Sequence, residues 1–266
     1  MDKSKETYKS HIVLVKQLIK PYHFKTEEGK KVKFYNLQTK QIEQEKLKNI
    51  DVEDKYFDSI MEEFLDKNIE SPFADTISKL EKMLDSNSTT GLTIKDLDII
   101  RRFFQFSLLR NKEMFKKMSN DSDFASLIQG FNHSVMLAFS PATNDYFKDK
   151  RISIIRNITN NGYGFVCPHN VIYYFKNPFY KEFDLAITIN QKTILCLNIK
   201  HESNHVDILE LEDDLDIRAL NFAAYSIEKN HDLKYVVGKE NDLLRLVEDI
   251  KELEKSNKDM ITVNIK

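Results

Sequence analysis

Residues 183–200 read FDLAITINQKTILCLNIK, in which two short apolar runs flank a polar turn. This pattern predicts a β-hairpin, with Asp184 at one end and Lys200 at the other. The neighbouring sequence predicts that the hairpin belongs to a larger sheet. Further strands are expected at residues 151–158, 164–167, 171–175 and 235–237, with an edge strand at 261–265 and helices at 213–227 and 241–253.

Helical patterns dominate the first half of the chain. Apolar residues recur at helical spacing between residues 52 and 85. Within this segment Ser71 and Pro72 restart or kink the helix, because Pro fits the first turn and Ser can cap it. Thr93 and Asp96 form a pattern close to a capping box, which predicts a helix that continues to about residue 118. Another helix is expected at 123–137.

The N-terminal segment predicts a second, smaller hairpin. Residues 11–15 are apolar and β-branched, and residues 31–36 begin by alternating polar and apolar side chains. Residues 27–30 between them are typical of a turn. We therefore expect these two strands to pair.

Length and composition indicate a globular protein. The chain has 266 residues, of which 41% are hydrophobic and 31% charged, so it can bury a substantial core. We expect an α+β fold in one compact domain spanning residues 1–266, with a helical layer from the first half packed on a mixed β-sheet from the second half. This domain would divide into a helical lobe at 52–140 and a sheet lobe at 150–266.

Charge and cysteine content exclude several classes of protein. A net charge of −2 gives no global basic field, although a local basic groove remains compatible with it. Cys167 and Cys196 are too few for a disulfide framework, and no His/Cys spacing suggests zinc. No apolar run approaches the roughly 20 residues that span a bilayer, and the N-terminus lacks the apolar core of a secretory signal. We expect a cytoplasmic protein without a membrane partner.

The hairpin resembles the active-site strands of the restriction-endonuclease-like superfamily. That superfamily has an Asp on one strand and a Glu/Asp-x-Lys on the next, which here correspond to Asp184, Asn198 and Lys200. The resemblance implies that Asp184 and Asn198 bind Mg²⁺ while Lys200 orients water. Asn198, however, brings no negative charge. The alternative is an ordinary structural hairpin that ends in polar residues.

Arg110 is a second candidate for a functional residue. It shares a helix face with Phe103 and Phe106, and a buried guanidinium left unpaired costs roughly 3–5 kcal/mol. It therefore needs a carboxylate, for which Glu70 and Glu63 are candidates, or an anionic ligand such as phosphate. The two interpretations are a structural ion pair and an anion site.

The chain resembles a widespread, largely bacterial family known only as a domain of unknown function. That family opens with a His-x-Val-Pro motif and a Leu; here Leu14 replaces the proline. The opening motif is matched by His11, Val13 and Leu18, and the family's two helical motifs by Glu70 in residues 70–74 and by Arg110 at the end of residues 103–110. A later loop of the family corresponds to residues 167–171, which lack its acidic residue. A turn and a final pair correspond to residues 189–192 and to Leu220 with Asn221. The resemblance implies that His11, Glu70 and Arg110 gather at one site. It implies no activity.

Two functions follow as expectations. The first is a bacterial enzyme, with a role in defence or toxicity, acting on a phosphate-containing substrate such as nucleic acid. In it Arg110 clamps the anion, His11 is a general acid or base, and Glu70 orients one of them; Asp184 and Lys200 contribute if the sheet brings them near. The second is a non-catalytic binding or regulatory module with a structural Arg–Glu pair. A metal nuclease would instead cluster Asp184, Asn198 and Lys200 with a further acidic residue.

Overall fold

Strands and helices both contribute to the fold, which is of the predicted α+β class. The computed structural model describes residues 9–11, 18–50, 52–54, 63, 65–86, 91–110, 146–160, 162–169, 171–177, 182–229 and 235–255. The strands within these residues are β1 (Lys9–His11), β2 (Phe24–Thr26), β3 (Gly29–Asn36), β4 (Gln41–Lys46), β5 (Val52–Asp54), β6 (Lys150–Asn157), β7 (Cys167–Pro168), β8 (Ile172–Lys176), β9 (Phe183–Asn190), β10 (Thr193–Glu202), β11 (Val206–Leu211) and β12 (Tyr235–Gly238). The helices are α1 (Ser71–Asp85), α2 (Ile94–Arg110), α3 (Asp214–Lys229) and α4 (Glu240–Lys255), with a 3₁₀ helix at Lys20–Tyr22 and a π-helical turn at Asp66–Glu70.

Five strands of the second half form a mixed sheet with the order β11-β6-β10-β9-β8. The predicted hairpin is its centre, because β9 and β10 pair antiparallel across the turn at Gln191 and Lys192. Leu195 of β10 lies opposite Ile187 of β9 and Ile154 of β6. Strand β11 runs parallel to β6, and the remaining pairs are antiparallel. The mixed sheet expected from the second half is therefore confirmed.

A second sheet is built around β3, which pairs with β2, β4 and β12, while β12 also pairs with β7. The strand expected at 31–36 is confirmed, but its predicted partner is wrong. Thr26 pairs with Gly29 across a tight turn, so the hairpin partner is β2 immediately before that turn. His11 pairs instead with Val52 in the small β1–β5 ladder, and residues 12–15 lie outside the described part of the chain.

Strand β5 also corrects the predicted start of the first helix, since residues 52–54 are extended and paired. The helical segment from Asp66 passes through its π-helical turn directly into α1, with Pro72 in the first turn as expected. Ser71 does not cap this helix. Its backbone is already helical, and its hydroxyl donates to Asp66 Oδ1 at 3.2 Å.

The capping box before α2 is confirmed. The Thr93 N–H donates to Asp96 Oδ2 at 2.9 Å, and the Asp96 N–H donates back to Thr93 Oγ1 at 3.3 Å. Lys79 of α1 donates to Asp96 Oδ1 at 2.6 Å, which joins the two helices. Burial raises the pKa of Asp96, but the bonds from Lys79 and Thr93 outweigh it and bring that pKa to about 2. The predicted elements at 111–118, 123–137 and 261–265 lie outside the described residues.

Two hydrophobic clusters cover the faces of the central sheet. On one face, Phe73 of α1 stacks on Phe103 of α2 with ring centroids 3.5 Å apart, and both join a cluster with Ile154 and Leu195. The helical layer from the first half thus packs on the sheet, as predicted. The cluster on the opposite face combines buried side chains of the sheet with those of α3 and α4, including Ile155, Ala186, Cys196, Ile217 and Leu246.

Of the strands within the described residues, four were not predicted: β2, β4, β5 and β11. Strand β10 continues past Lys200 to Glu202, and the chain soon returns as β11. Both cysteines are buried and free, in agreement with the absence of a disulfide framework. Among the described residues, no helix has the length and apolar character needed to cross a membrane.

Candidate functional site

A polar cluster lies at one end of the central sheet, where β9 begins and β10 ends. Asn198 of β10 is opposite Arg151 of β6. Because Leu197 pairs with Leu185, the next residues outward on the two strands are Asn198 and Asp184. We define the carboxylate cluster as the two acids and the side chains that donate to them: Glu182, Asp184, Arg151, Asn177, Asn198 and His201.

Asp184 is fully buried, yet both of its carboxylate oxygens accept hydrogen bonds. Asn198 donates to Oδ1 and Asn177 donates to Oδ2, each at 2.6 Å. Burial raises the pKa of Asp184; the two amide bonds and the charge of Arg151 lower it but do not cancel the effect of burial. Two neutral amides therefore hold this buried acid.

The orientation of the Asn198 side chain is fixed by the backbone. Its Oδ1 accepts the N–H groups of Lys200 at 2.9 Å and His201 at 3.1 Å, so this atom must be the oxygen. The amide nitrogen consequently faces the acids. It donates to Asp184 Oδ1 at 2.6 Å and to Glu182 Oε2 at 3.0 Å. The amide thus lies between two carboxylates as a neutral bridge.

Glu182 is the half-exposed acid of the carboxylate cluster. Arg151 Nη2 donates to its Oε2 at 3.1 Å, and His201 Nε2 lies 2.7 Å from its Oε1. Desolvation raises the pKa of Glu182, but the bonds and charges of His201 and Arg151 together lower it below the usual value. With the amide of Asn198, every oxygen of the two carboxylates accepts at least one bond.

The structure brings together two of the three residues of the nuclease-like motif. Asp184 and Asn198 are in contact, and Glu182 is the further acidic residue that the metal-nuclease interpretation requires. Lys200 is exposed, and its backbone N–H bonds to Asn198. Among the described residues, no three His, Cys, Asp or Glu side chains are grouped so that they could hold a metal ion. The metal site at Asp184 and Asn198 stays a prediction.

A cation that bridged the two acids would have to displace the amide nitrogen of Asn198. Turning the amide so that its oxygen faced the cation would point the NH₂ group at the N–H groups of Lys200 and His201, which also donate. Two part-buried backbone donors would then lose their acceptor, at a cost of up to about 1–3 kcal/mol each where the N–H is shielded from water. The arrangement therefore acts as a closed set of hydrogen bonds that ties three strands together.

Sequence reasoning missed Glu182, Arg151, Asn177 and His201. Glu182 could have been found, because it lies two residues before Asp184 and shares its strand face. Arg151 could not, because its contact depends on the register between β6 and β10. His201 lies in β10, on the same strand as Asn198.

The second predicted site consists of His11, Glu70 and Arg110. Glu70 is half-buried at the last residue of the π-helical turn, and the backbones of His11 and Arg110 lie in β1 and at the end of α2. The side chains of His11 and Arg110 lie outside what the structure describes. Convergence of the three residues in one cleft stays a prediction.

Arg101 is the arginine of α2 that the structure shows to be buried, at 2% exposure. Its Nε donates to the Lys150 carbonyl, Nη2 to the Ser203 carbonyl and Nη1 to Asp98 Oδ1, each at 3.0 Å. The buried guanidinium of Arg101 therefore has the acceptors that such a group needs. The partners are mostly carbonyls, so this residue has a structural role.

A cleft of about 550 Å³ lies at the other end of the β9–β10 hairpin. Its lining is polar and of mixed charge, and it includes Glu81, Asp85, Arg156, Asn160 and Lys192. Glu81 accepts a hydrogen bond from Asn190 at 2.9 Å, and Arg156 forms an ion pair with Glu210 at 3.2 Å. Two of the charged groups that line the cleft therefore already have partners within the protein.

A comparison of the sequence with models of known protein families identifies the family of the chain. Residues 22–172, more than half of the chain, match the model of the family described as "Protein of unknown function (DUF4238)". The chain belongs to the DUF4238 family. The predicted resemblance to a family of unknown function is thereby confirmed. The matched segment includes Glu70 and Arg110, begins after His11 and ends before Asp184. Searches of curated proteins and of solved structures give no significant match.

Proposed function

We propose that this chain is a non-catalytic binding or regulatory module, and that its hairpin is a structural descendant of the nuclease-like arrangement. The observation that carries this proposal is the amide of Asn198, which donates to Asp184 and Glu182 at 2.6 and 3.0 Å. The two carboxylates are thus bridged by a hydrogen-bond donor that occupies the position between them. The acid–metal–lysine chemistry expected of Asp184 and Lys200 needs the opposite arrangement, in which acceptors converge on one point.

The remaining bonds of the carboxylate cluster support the same conclusion. Asn177 donates to the second oxygen of Asp184, and Arg151 and His201 contact Glu182. Each donor comes from a different strand or from a strand end. A cluster saturated in this way contributes to stability and strand register, and it leaves function to surfaces elsewhere on the molecule.

A cleavage assay tests the proposal directly. Wild-type protein should cleave neither RNA nor DNA, with Mg²⁺ or with EDTA, and Mg²⁺ should leave its Tm unchanged. The same assay on Lys200→Ala and His11→Ala covers both enzyme interpretations. Mg²⁺-dependent cleavage that disappears in Lys200→Ala would overturn the proposal in favour of a nuclease, and metal-independent cleavage that disappears in His11→Ala would overturn it in favour of the first predicted site.

Asn198→Asp gives a sharper test. The substitution replaces the donor with a third carboxylate beside Asp184 and Glu182. Without metal, the variant should therefore be less stable than wild type, and its Tm should rise when Mg²⁺ is added. Asn198→Ala is the control, since it removes the amide without adding charge and should not respond to Mg²⁺. An equal response of wild type and Asn198→Asp to Mg²⁺ would contradict the assigned role of the amide.

A further inference from the structure

The segment 20–50, which contains β2, β3 and β4, is basic although the whole chain is acidic. It holds eight lysines and four glutamates, a net charge of +4, whereas the chain as a whole has −2. Two of the glutamates are engaged by other donors. Glu43 accepts from Asn36 at 3.1 Å and Thr39 at 2.6 Å, and Glu45 accepts from the Lys46 N–H at 2.6 Å and Asn49 at 3.1 Å. Positive charge is therefore concentrated on this small sheet.

Strand register places several of these lysines on one face. Lys31 of β3 lies directly opposite Phe24 of β2 and Lys46 of β4. Lys33, two residues further along β3, projects to the same face, and its Nζ lies 5.6 Å from the centroid of the Phe24 ring. We define the lysine face as Phe24, Lys31, Lys33 and Lys46.

One pair of residues on the lysine face opposes the pairing of the strands. Like charges directly opposite each other across two strands are destabilising, and Lys31 and Lys46 form such a pair. Glu28 pairs with Lys31 at 2.8 Å and Glu240 with Lys33 at 2.6 Å. Both glutamates are well exposed, at 65% and 58%, so the strength of these ion pairs is limited by solvent and an incoming anion can compete with them.

The same Glu28 serves two lysines. Its pKa is lowered by a hydrogen bond and the charge of Lys31 and, in addition, by the charge of Lys46. One exposed carboxylate therefore balances a pair of ammonium groups. A ligand with repeated negative charges would relieve the repulsion between them more fully than Glu28 does.

We propose that the lysine face binds single-stranded nucleic acid, with Lys31, Lys33 and Lys46 contacting successive phosphates and Phe24 contacting a base. Ammonium groups beside an aromatic ring on a strand surface are the combination that sequence-tolerant single-strand binders use. The inference rests on the proposed function, because it gives the non-catalytic module its partner. Binding at this face requires no metal ion.

The test measures binding of a fluorescein-labelled oligothymidylate of about 12 nucleotides by anisotropy, in EDTA and at several salt concentrations. Wild type should bind with an affinity that falls as salt rises. Lys31→Gln/Lys46→Gln should weaken binding about 20-fold near 0.1 M salt, because each lost phosphate contact removes about 0.7 from the slope of log K against log salt. Circular dichroism confirms that the variant is folded.

Two control variants distinguish binding at the lysine face from a general effect of charge. Lys251→Gln/Lys255→Gln removes two exposed lysines from α4 and makes the same change in net charge, so it should bind like wild type. Phe24→Leu should weaken binding at least about fivefold while the salt slope is kept, because it removes stacking and no charge. A sugar-phosphate chain of equal length without bases should bind wild type more weakly than the oligothymidylate does.

Several outcomes would overturn the inference. One is the absence of oligothymidylate binding at low salt. Another is an equal loss in the α4 double variant, which would indicate a general charge effect. Equal affinity for the base-free chain, or for vesicles of anionic lipid, would show that the surface recognises negative charge alone. These outcomes concern binding in EDTA, so they are distinct from metal-dependent cleavage, which would overturn the proposed function.

Discussion

At the scale of single residues, the surroundings of Asp242 strongly affect the chemistry of its side chain. This residue, in the first turn of α4, is 2% exposed, and its Oδ1 accepts the Gly164 N–H at 2.7 Å. Its Oδ2 has no hydrogen-bond partner among the described residues. Desolvation raises the pKa of Asp242 from 3.8 to about 6, although the N–H groups of Gly164 and Lys239 and the charge of Lys239 oppose it.

The raised pKa of Asp242 predicts a pH-dependent stability. The folded state holds the proton more tightly than the unfolded state, so the contribution of Asp242 is fully present below pH 3.8 and is lost as the pH rises through 6. A shift of about two pKa units corresponds to roughly 3 kcal/mol. Asp242→Asn keeps the acceptor for Gly164 and stays neutral. Its stability relative to wild type should therefore increase between pH 4 and pH 7, as measured by urea unfolding at each pH.

Comparing Asp242→Asn with wild type at each pH removes the effect of the other titrating groups, because both proteins contain them. A difference in unfolding free energy that stays constant from pH 4 to pH 7 would contradict the assignment. The protonated acid and the amide both place a donor where Oδ2 lies, so the two proteins should have similar stability near pH 4.

At the scale of secondary structure, the elements that were predicted are those whose signals are local. The hairpin at β9 and β10 is encoded by two apolar runs and a turn, and α2 by its capping box. Strand β4 was missed because its sequence, QIEQEK, has a single large apolar residue. The pairing of β3 was predicted wrongly because β2 has only three residues, which give a weaker pattern than the apolar run at 11–15.

The capping box provides a prediction at this scale. Thr93→Ala removes the hydroxyl that accepts the Asp96 N–H, so it should lower the free energy of unfolding by about 1 kcal/mol. Thr93→Ser keeps that hydroxyl and should cost clearly less. Urea unfolding monitored by circular dichroism measures both. Equal losses for Ala and Ser would show that the methyl group of Thr93, and not its hydroxyl, is the stabilising part.

At the scale of the whole molecule, the sequence predicted part of the candidate site. Asp184 and Asn198 were paired correctly, because residues at matching places on the two strands of a hairpin are neighbours. Arg151 and Asn177 approach from β6 and from the end of β8, and their positions depend on register and strand order that no local pattern encodes. The ion pair or anion site expected at Arg110 stays a prediction, since that side chain lies outside what the structure describes. The buried guanidinium that the structure does show is that of Arg101, which is held by the carbonyls of Lys150 and Ser203.

Arg101 connects the helical layer with the central sheet and allows a test of whether the two unfold together. Arg101→Met would leave the carbonyls of Lys150 and Ser203 without their donor, so it should destabilise the protein by about 3 kcal/mol or more. Arg102 is exposed next to it, and Arg102→Met should change stability by less than about 0.5 kcal/mol. Because the first-half helices and the sheet share one hydrophobic cluster, Arg101→Met should lower the midpoint of a single transition in thermal unfolding followed by circular dichroism. Two separate transitions, of which only one moves in the variant, would contradict the single-domain prediction and show that the helical and sheet lobes fold independently.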